Sequence, residues 1–210
     1  MTEQDIKVRA VMNEKFFDLK SEKQDRMINA SLKMFAKNGY RHASTDDIVK
    51  EAGISKGLLF HYFSSKQGLY SFLVDYSIKY MTFEMQRTIG DEKDYFEYLE
   101  KLESAKLTVL RNYPYMNEFI ESAIVENRDE MDDAARSALL SYSETMDGYR
   151  DKLDVPKVKA GVDMAVLEEI IGYTIKGLNG AYMESDSFRP EALHTQISEY
   201  IKTFKVLASK

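Results

Sequence analysis

Along most of this chain, apolar residues return every three or four positions with charged residues between them, the period of an amphipathic helix. Ile28, Leu32 and Phe35 mark the first clear case, and the spacing predicts a helix over about 22–37. Ser21 with Gln24 reads as a capping box at its start, and Asn38-Gly39 as its stop. A short second helix follows a cap at Ser44 or Thr45, with Asp46 and Asp47 in its first turn and Ile48, Val49 and Ala52 facing inward. Gly53 permits a sharp turn, and Ser55 then caps a third helix over about 56–62. Ser64-Ser65-Lys66-Gln67 opens a long fourth helix over about 66–88, with Leu69, Phe72, Leu73, Tyr76 and Tyr80 on its inner face. Beyond Gly90-Asp91-Glu92 the pattern predicts helices at about 92–112, 114–126, 128–151, 162–184 and 190–208. Pro114 and Pro190 stand where a first helical turn accepts proline. Residues 2–19, with Ile6, Val8, Val11, Phe16 and Phe17 among charges, form a weakly amphipathic arm whose fate the pattern leaves open.

Nine helices with no alternating strand pattern predict an all-α chain. The scarcity of proline and of β-branched runs agrees. The 210 residues suffice for one large core or two modest ones. The expected division is an arm at 1–20, a small three-helix unit at 21–68 and a helical body at 69–210. The absence of cysteine excludes a disulfide framework, a thiolate metal site and a cysteine nucleophile. It fits a reducing compartment, and a cytoplasmic location is expected. No apolar run approaches the roughly 20 residues that span a bilayer, so no membrane partner is expected.

The net charge of −6 is unevenly spread: residues 21–70 carry +3 and residues 71–210 carry −9. A locally basic module on an acidic body approaches phosphates at one end only. Within that basic stretch, residues 44–63 read as helix, glycine turn, helix, an arrangement suited to the major groove of DNA. A helix built only to fill a core would not spend Ser55, Lys56, His61 and Tyr62 in eight residues. Ser44, Thr45 and Ser55 stand at helix starts, where hydroxyls and free N–H groups hold phosphates; Ser44 and Ser55 also have the plainer reading of caps. Lys56 can donate to guanine or phosphate, and Gly57 removes a side chain where a helix must approach a groove. Leu58 and Leu59 cannot both be buried in so small a unit, so one is expected to offer an apolar contact to bases. His61 and Tyr62 can reach backbone or a thymine methyl. Lys66 opposes the dipole of the fourth helix, a poor structural choice but a sensible phosphate clamp.

Residues 25–75 resemble the DNA-binding domain of the TetR/AcrR family of bacterial repressors. The likeness rests on Ile28-Asn29-Ala30, Phe35-Ala36-Lys37-Asn38-Gly39-Tyr40, Thr45-Asp46-Asp47-Ile48, Ala52-Gly53-Ile54-Ser55-Lys56-Gly57 and Phe60-His61-Tyr62-Phe63-Ser64-Ser65-Lys66-Gln67-Gly68-Leu69. By that resemblance Thr45, Ser55, Lys56, Gly57, His61, Tyr62 and Lys66 correspond to DNA-contacting positions. Phe60 departs from it, standing where many relatives carry a tyrosine whose hydroxyl reaches phosphate. The resemblance further implies a C-terminal body that binds a small-molecule effector and forms a homodimer, and a double-stranded DNA operator as partner.

The body supports both roles in its own residues. Leu99, Leu102, Tyr113, Met116, Phe119, Ile120, Tyr142, Met146 and Tyr149 are candidates to line an apolar pocket, since methionine adapts to irregular space and tyrosine offers a flat face with one polar tip. Glu118, Glu121 and Glu126 lie near them in sequence. Leu167, Ile171, Thr174 and Leu178, with Ile197, Tyr200, Ile201 and Phe204 on the last helix, form stripes suited to a four-helix dimer interface. Gly172, Gly177 and Gly180 each cost about 1 kcal/mol in a helix, which close packing would offset.

His42, His61 and His194 are far apart without metal-ligand spacing, and no phosphate loop or nucleophile elbow occurs. The chain is therefore expected to be no enzyme and to need no cofactor or metal. The expectation is a ligand-responsive repressor that binds a palindromic operator as a dimer and leaves it when a small apolar or aromatic effector binds. A helical small-molecule binder without operator recognition is the alternative.

Overall fold

A computed structural model of the chain describes residues 14–125, 131–183 and 189–210. Among these the fold is all-α, with ten helices: α1 (Glu14–Phe17), α2 (Ser21–His42), α3 (Thr45–Ala52), α4 (Lys56–Phe63), α5 (Lys66–Ile89), α6 (Tyr95–Asn112), α7 (Met116–Val125), α8 (Asp133–Arg150), α9 (Met164–Met183) and α10 (Pro190–Ala208). The only β-type contact among them is an isolated bridge between Val158 and Ser209.

Caps explain where several helices begin later than the hydrophobic pattern suggests. The Asp94 carboxylate accepts from the N–H groups of Phe96 and Glu97 at 3.0 and 2.9 Å, so α6 starts at Tyr95 rather than near 92. Asp132 does the same for Ala135, and Asp163 for Ala165. The capping box expected at Ser21 is not made: Lys20 is the N-cap, with no side-chain bond. Gln24 instead turns back, its carboxamide donating to the carbonyls of Phe17 and Leu19 at 3.0 and 2.6 Å. It thereby ties α1 to α2. At the far end of α2, Gly39 is non-helical (φ 66°), and one further turn carries the chain to His42.

The described residues form two compact units. The first comprises those among residues 1–83 and 112–146, the second those among 84–111 and 147–210, so α5 contributes to both. In the first, α2 packs against α3 and α7. Its core joins Met27, Ile28, Leu32 and Phe35 of α2 to Ile48, Leu59, Phe63, Phe72, Leu73 and Phe119. The inner face of α5 belongs to this core, so α5 as far as Phe83 cannot be separated from the small helices it supports. Phe16 is fully buried, its ring 5.1 Å from Phe63 and 5.4 Å from Phe72. The end of the arm is thus core; Ile6, Val8 and Val11 lie outside the described residues.

A hydrogen-bonded tyrosine cluster lies inside the first unit. The Tyr76 and Tyr113 hydroxyls are 2.8 Å apart, and Tyr113 donates onward to the Asp25 carboxylate at 3.3 Å. Asn112 donates to Tyr80, and Asn29 to the Asn112 carbonyl. Burial, with the Tyr76 hydroxyl beside it, pushes the Tyr113 phenol far above its ordinary range. In the second unit α9 packs on α10. Lys205 of α10 pairs with Glu97 of α6 at 2.7 Å, Ser198 donates to Glu100, and Arg111 pairs with Glu191.

Candidate nucleic-acid interface

Ser44 is the N-cap of α3, its hydroxyl accepting from the N–H groups of Asp46 and Asp47 at 3.2 and 3.5 Å. Thr45 is half-buried at the first helical position. Gly53 ends α3 in the left-handed region (φ 63°), where a side chain would be strained. Ser55 then caps α4, accepting from the Leu58 N–H at 3.2 Å. Two eight-residue helices separated by three residues make a helix-turn-helix.

α4 has two distinct faces. Leu59 and Phe63 are buried, while Ser55, Lys56, Gly57 and His61 are exposed and Leu58, Phe60 and Tyr62 are half-buried. Leu59, fully buried in the core, is therefore corrected from candidate base contact to core residue; Leu58 keeps the outward position. A Cβ built on Gly57 would meet nothing within 4 Å, so no contact within the chain requires glycine there. The Tyr62 ring rests edge-on against Phe16 at 5.7 Å and against His61 at 4.9 Å. Phe16, which sequence reasoning left in an undecided arm, thus supports a candidate reader; the adjacent aromatic pair Phe16-Phe17 in a polar stretch was the available signal. The Lys56 ammonium pairs with Asp46 of α3 at 2.8 Å across the turn.

Lys66 has a structural partner that the sequence reading denied it. Its ammonium donates to the Arg41 carbonyl at 3.2 Å and lies 4.7 Å above the Tyr40 ring. A cation there satisfies a carbonyl at the C-terminal end of α2, a favourable place for positive charge. Lys37, Arg41 and Lys50 are exposed in the same unit.

The residues expected to line one pocket divide between the units. Tyr113, Met116, Phe119, Ile120, Tyr142 and Met146 lie in the first, and Leu99, Leu102 and Tyr149 in the second. The Tyr113 hydroxyl is engaged by Tyr76 and Asp25. Phe119 likewise packs on Tyr70 at 5.4 Å and Phe35 at 6.2 Å, and Met116 and Ile120 are fully buried beside it in sequence. In the second unit Tyr149 packs on Tyr98 at 6.1 Å. A shallow cleft there is lined by Phe96, Glu97, Glu100, Ile201, Lys202 and Lys205, none of them a candidate pocket residue. Glu121 accepts from Asn117, and Glu126 lies outside the described residues.

The residues of the expected interface stripe differ in exposure. Leu167, Ile171, Ile197 and Ile201 are buried within their own unit. Thr174, Leu178 and Phe204 are half-buried and Tyr200 is exposed. The outward apolar face holds Val166, Ile170 and Tyr173 of α9 with Tyr200 and Leu207 of α10, of which Tyr173 is 73% exposed. Gly172, Gly177 and Gly180 have open space around them. Ser104 donates to the Glu100 carbonyl at 2.8 Å, and its hydroxyl lies 3.2 Å from the His194 Nε2. No helix among the described residues is long and apolar enough to cross a membrane.

Two short helices joined at a glycine turn, with a polar face outward, have the arrangement of a helix-turn-helix module. Residues 27–71 match the family described as bacterial regulatory proteins, tetR family. A curated relative, the uncharacterized HTH-type transcriptional regulator YerO of Bacillus subtilis, is 30% identical over 154 residues, or 64% of this chain and 52% of the relative. The chain thus spans about half the length of that relative. Two solved structures share the fold across nearly the whole chain. The ketosteroid transcriptional regulator KstR2 of Mycobacterium tuberculosis matches with a TM-score of 0.65 at 16% identity, covering 91% of this chain and 97% of that one. A TetR family transcriptional regulator from Chloroflexus aurantiacus matches with a TM-score of 0.59 at 20% identity, covering 94% and 98%.

Proposed function

We propose that this protein is a transcriptional repressor that binds a palindromic DNA operator as a homodimer and is released by a small apolar or aromatic effector. The observation that carries the DNA reading is the outward face of α4. It presents Ser55, Lys56, Gly57 and His61 to solvent, with Leu58 and Tyr62 at its margin, in a module matched to tetR-family regulators. Thr45 and Ser44 at the start of α3 and Lys66 at the start of α5 flank it as candidate backbone contacts. Phosphate contacts would position the module, and the α4 side chains would read base edges.

The dimer reading is supported by the outward apolar face of α9 and α10, which a second copy would cover. The effector reading is supported by the methionine and tyrosine content of the body, with Tyr142 and Met146 as candidates in the first unit and Leu99, Leu102 and Tyr149 as separate candidates in the second. DNA and effector affinities would then be linked reciprocally, typically by about 1–3 kcal/mol.

Selection by the purified protein from a pool of random duplexes tests the proposal. The expected product is a palindrome whose half-sites lie about one helical turn, or a multiple, apart. Failure to enrich any sequence, with no retardation of duplex DNA at low salt, would favour a helical small-molecule binder without operator recognition.

A further inference from the structure

The pairing of Lys56 with Asp46 deepens the DNA-binding reading and depends on it. Lys56 is the first residue of α4, where the helix dipole disfavours an ammonium. Asp46 lies in the first turn of α3, ten positions earlier, and its carboxylate comes within 2.8 Å of the Lys56 Nζ. The side chains are 50% and 71% exposed, so burial does not force the contact. Nor is Asp46 needed as a cap, because the Ser44 hydroxyl fills that role. The result is a carboxylate standing in a face meant for a polyanion, tethered to a candidate reading cation.

We infer that Asp46 is a specificity-determining residue that directs the Lys56 ammonium towards base edges and away from backbone phosphates. An ammonium has three donors. With one engaged by Asp46, the others remain for neutral acceptors such as the O6 and N7 atoms of guanine. A phosphate drawn to the same ammonium comes close to the Asp46 carboxylate, and like charges repel. The ion pair therefore penalises phosphate binding, which any duplex offers, more than base contact, which only the right sequence offers. Gly57 beside it leaves the approach to the groove unobstructed.

The test compares the full-length protein with its Asp46→Asn, Lys56→Gln and doubly substituted forms. Each is titrated by fluorescence anisotropy against a duplex selected from a random pool and a scrambled duplex of equal length and composition. Asp46→Asn should tighten the scrambled duplex about fivefold, the scale of an exposed ion pair, and the selected duplex twofold or less. In the Lys56→Gln background the same substitution should change both duplexes by one factor, leaving their ratio intact. Equal tightening of both duplexes with Lys56 present, or a narrowed ratio that persists without Lys56, overturns the inference while sparing DNA binding. Absence of binding to either duplex by the unsubstituted protein at low salt overturns the DNA-binding reading and this inference together.

Discussion

Gly57 occupies the second position of a helix, where glycine costs roughly 0.5–1 kcal/mol relative to alanine, and nothing within 4 Å explains it. A duplex approached closely by α4 would supply the reason that the isolated chain does not. Gly57→Ala is therefore expected to raise stability by about 0.5–1 kcal/mol, read as an upward shift in thermal melting. It should at the same time weaken binding of the selected duplex, about tenfold, by holding α4 off the groove. Higher stability with unchanged DNA affinity would show that α4 does not approach DNA at this position. Gly57 was legible in the sequence because its chemistry is local. Lys66 was not, because the carbonyl it satisfies belongs to Arg41, 25 residues away. Leu58 and Leu59 show the same limit: the sequence says that one faces outward, and only the packing of α4 says that it is Leu58.

Among the elements, the corner between α4 and α5 is the most constrained. A Cβ on Gly68 would stand 2.2 Å from the Phe63 carbonyl oxygen, a backbone atom that cannot swing aside. Gly68→Ala should therefore force the two helices apart and cost about 1–3 kcal/mol, as overpacked sites do. Urea denaturation reads this directly, and Gly57→Ala, in the neighbouring helix α4, serves as a control of opposite sign. An unchanged midpoint for Gly68→Ala would mean that the corner relaxes freely. The existence and order of α2 to α10 were legible from periodicity, since each spans enough turns to show a 3.6-residue repeat, whereas the four-residue α1 was not. Helix starts were less legible. Ser21 and Gln24 have the spacing of a capping box, yet Gln24 serves the carbonyls of Phe17 and Leu19, because α1 folds back over the start of α2. The tyrosine cluster was legible only in part. The sequence placed Tyr76 on an inner helix face and offered Tyr113 for a pocket, without pairing two hydroxyls that stand 37 positions apart.

At the scale of the whole molecule, a single eight-residue α4 reaches only a few base pairs, and reading a palindrome requires two copies in fixed relation. The surface best suited to hold a second copy is on α9. Val166, Ile170 and Tyr173 recur at spacings of four and three and stay exposed, while Leu167 and Ile171, each one position further along, are buried. This helix is apolar nearly all round, so periodicity detects it without saying which stripe faces its own unit. The sequence offered Leu167 and Ile171 as interface candidates, one position along from the exposed stripe. Tyr200 and Leu207 of α10 add a second exposed stripe at heptad spacing. An isologous contact repeats each of these side chains across the axis, so one charge introduced per protomer is introduced twice. Ile170→Glu together with Tyr173→Glu is therefore expected to yield monomers in sedimentation equilibrium. Because Tyr173 is 73% exposed and Ile170 is 46% exposed, the fold of each protomer should survive, with helical circular dichroism retained. Affinity for the selected palindrome should fall by about a hundredfold or more, as binding loses the effective concentration that a tethered second reader supplies. Affinity for an isolated half-site should be nearly unchanged. A particle that stays dimeric with both glutamates in place would move the interface off this face. A monomer that still bound the full palindrome tightly would show that the two readers act independently.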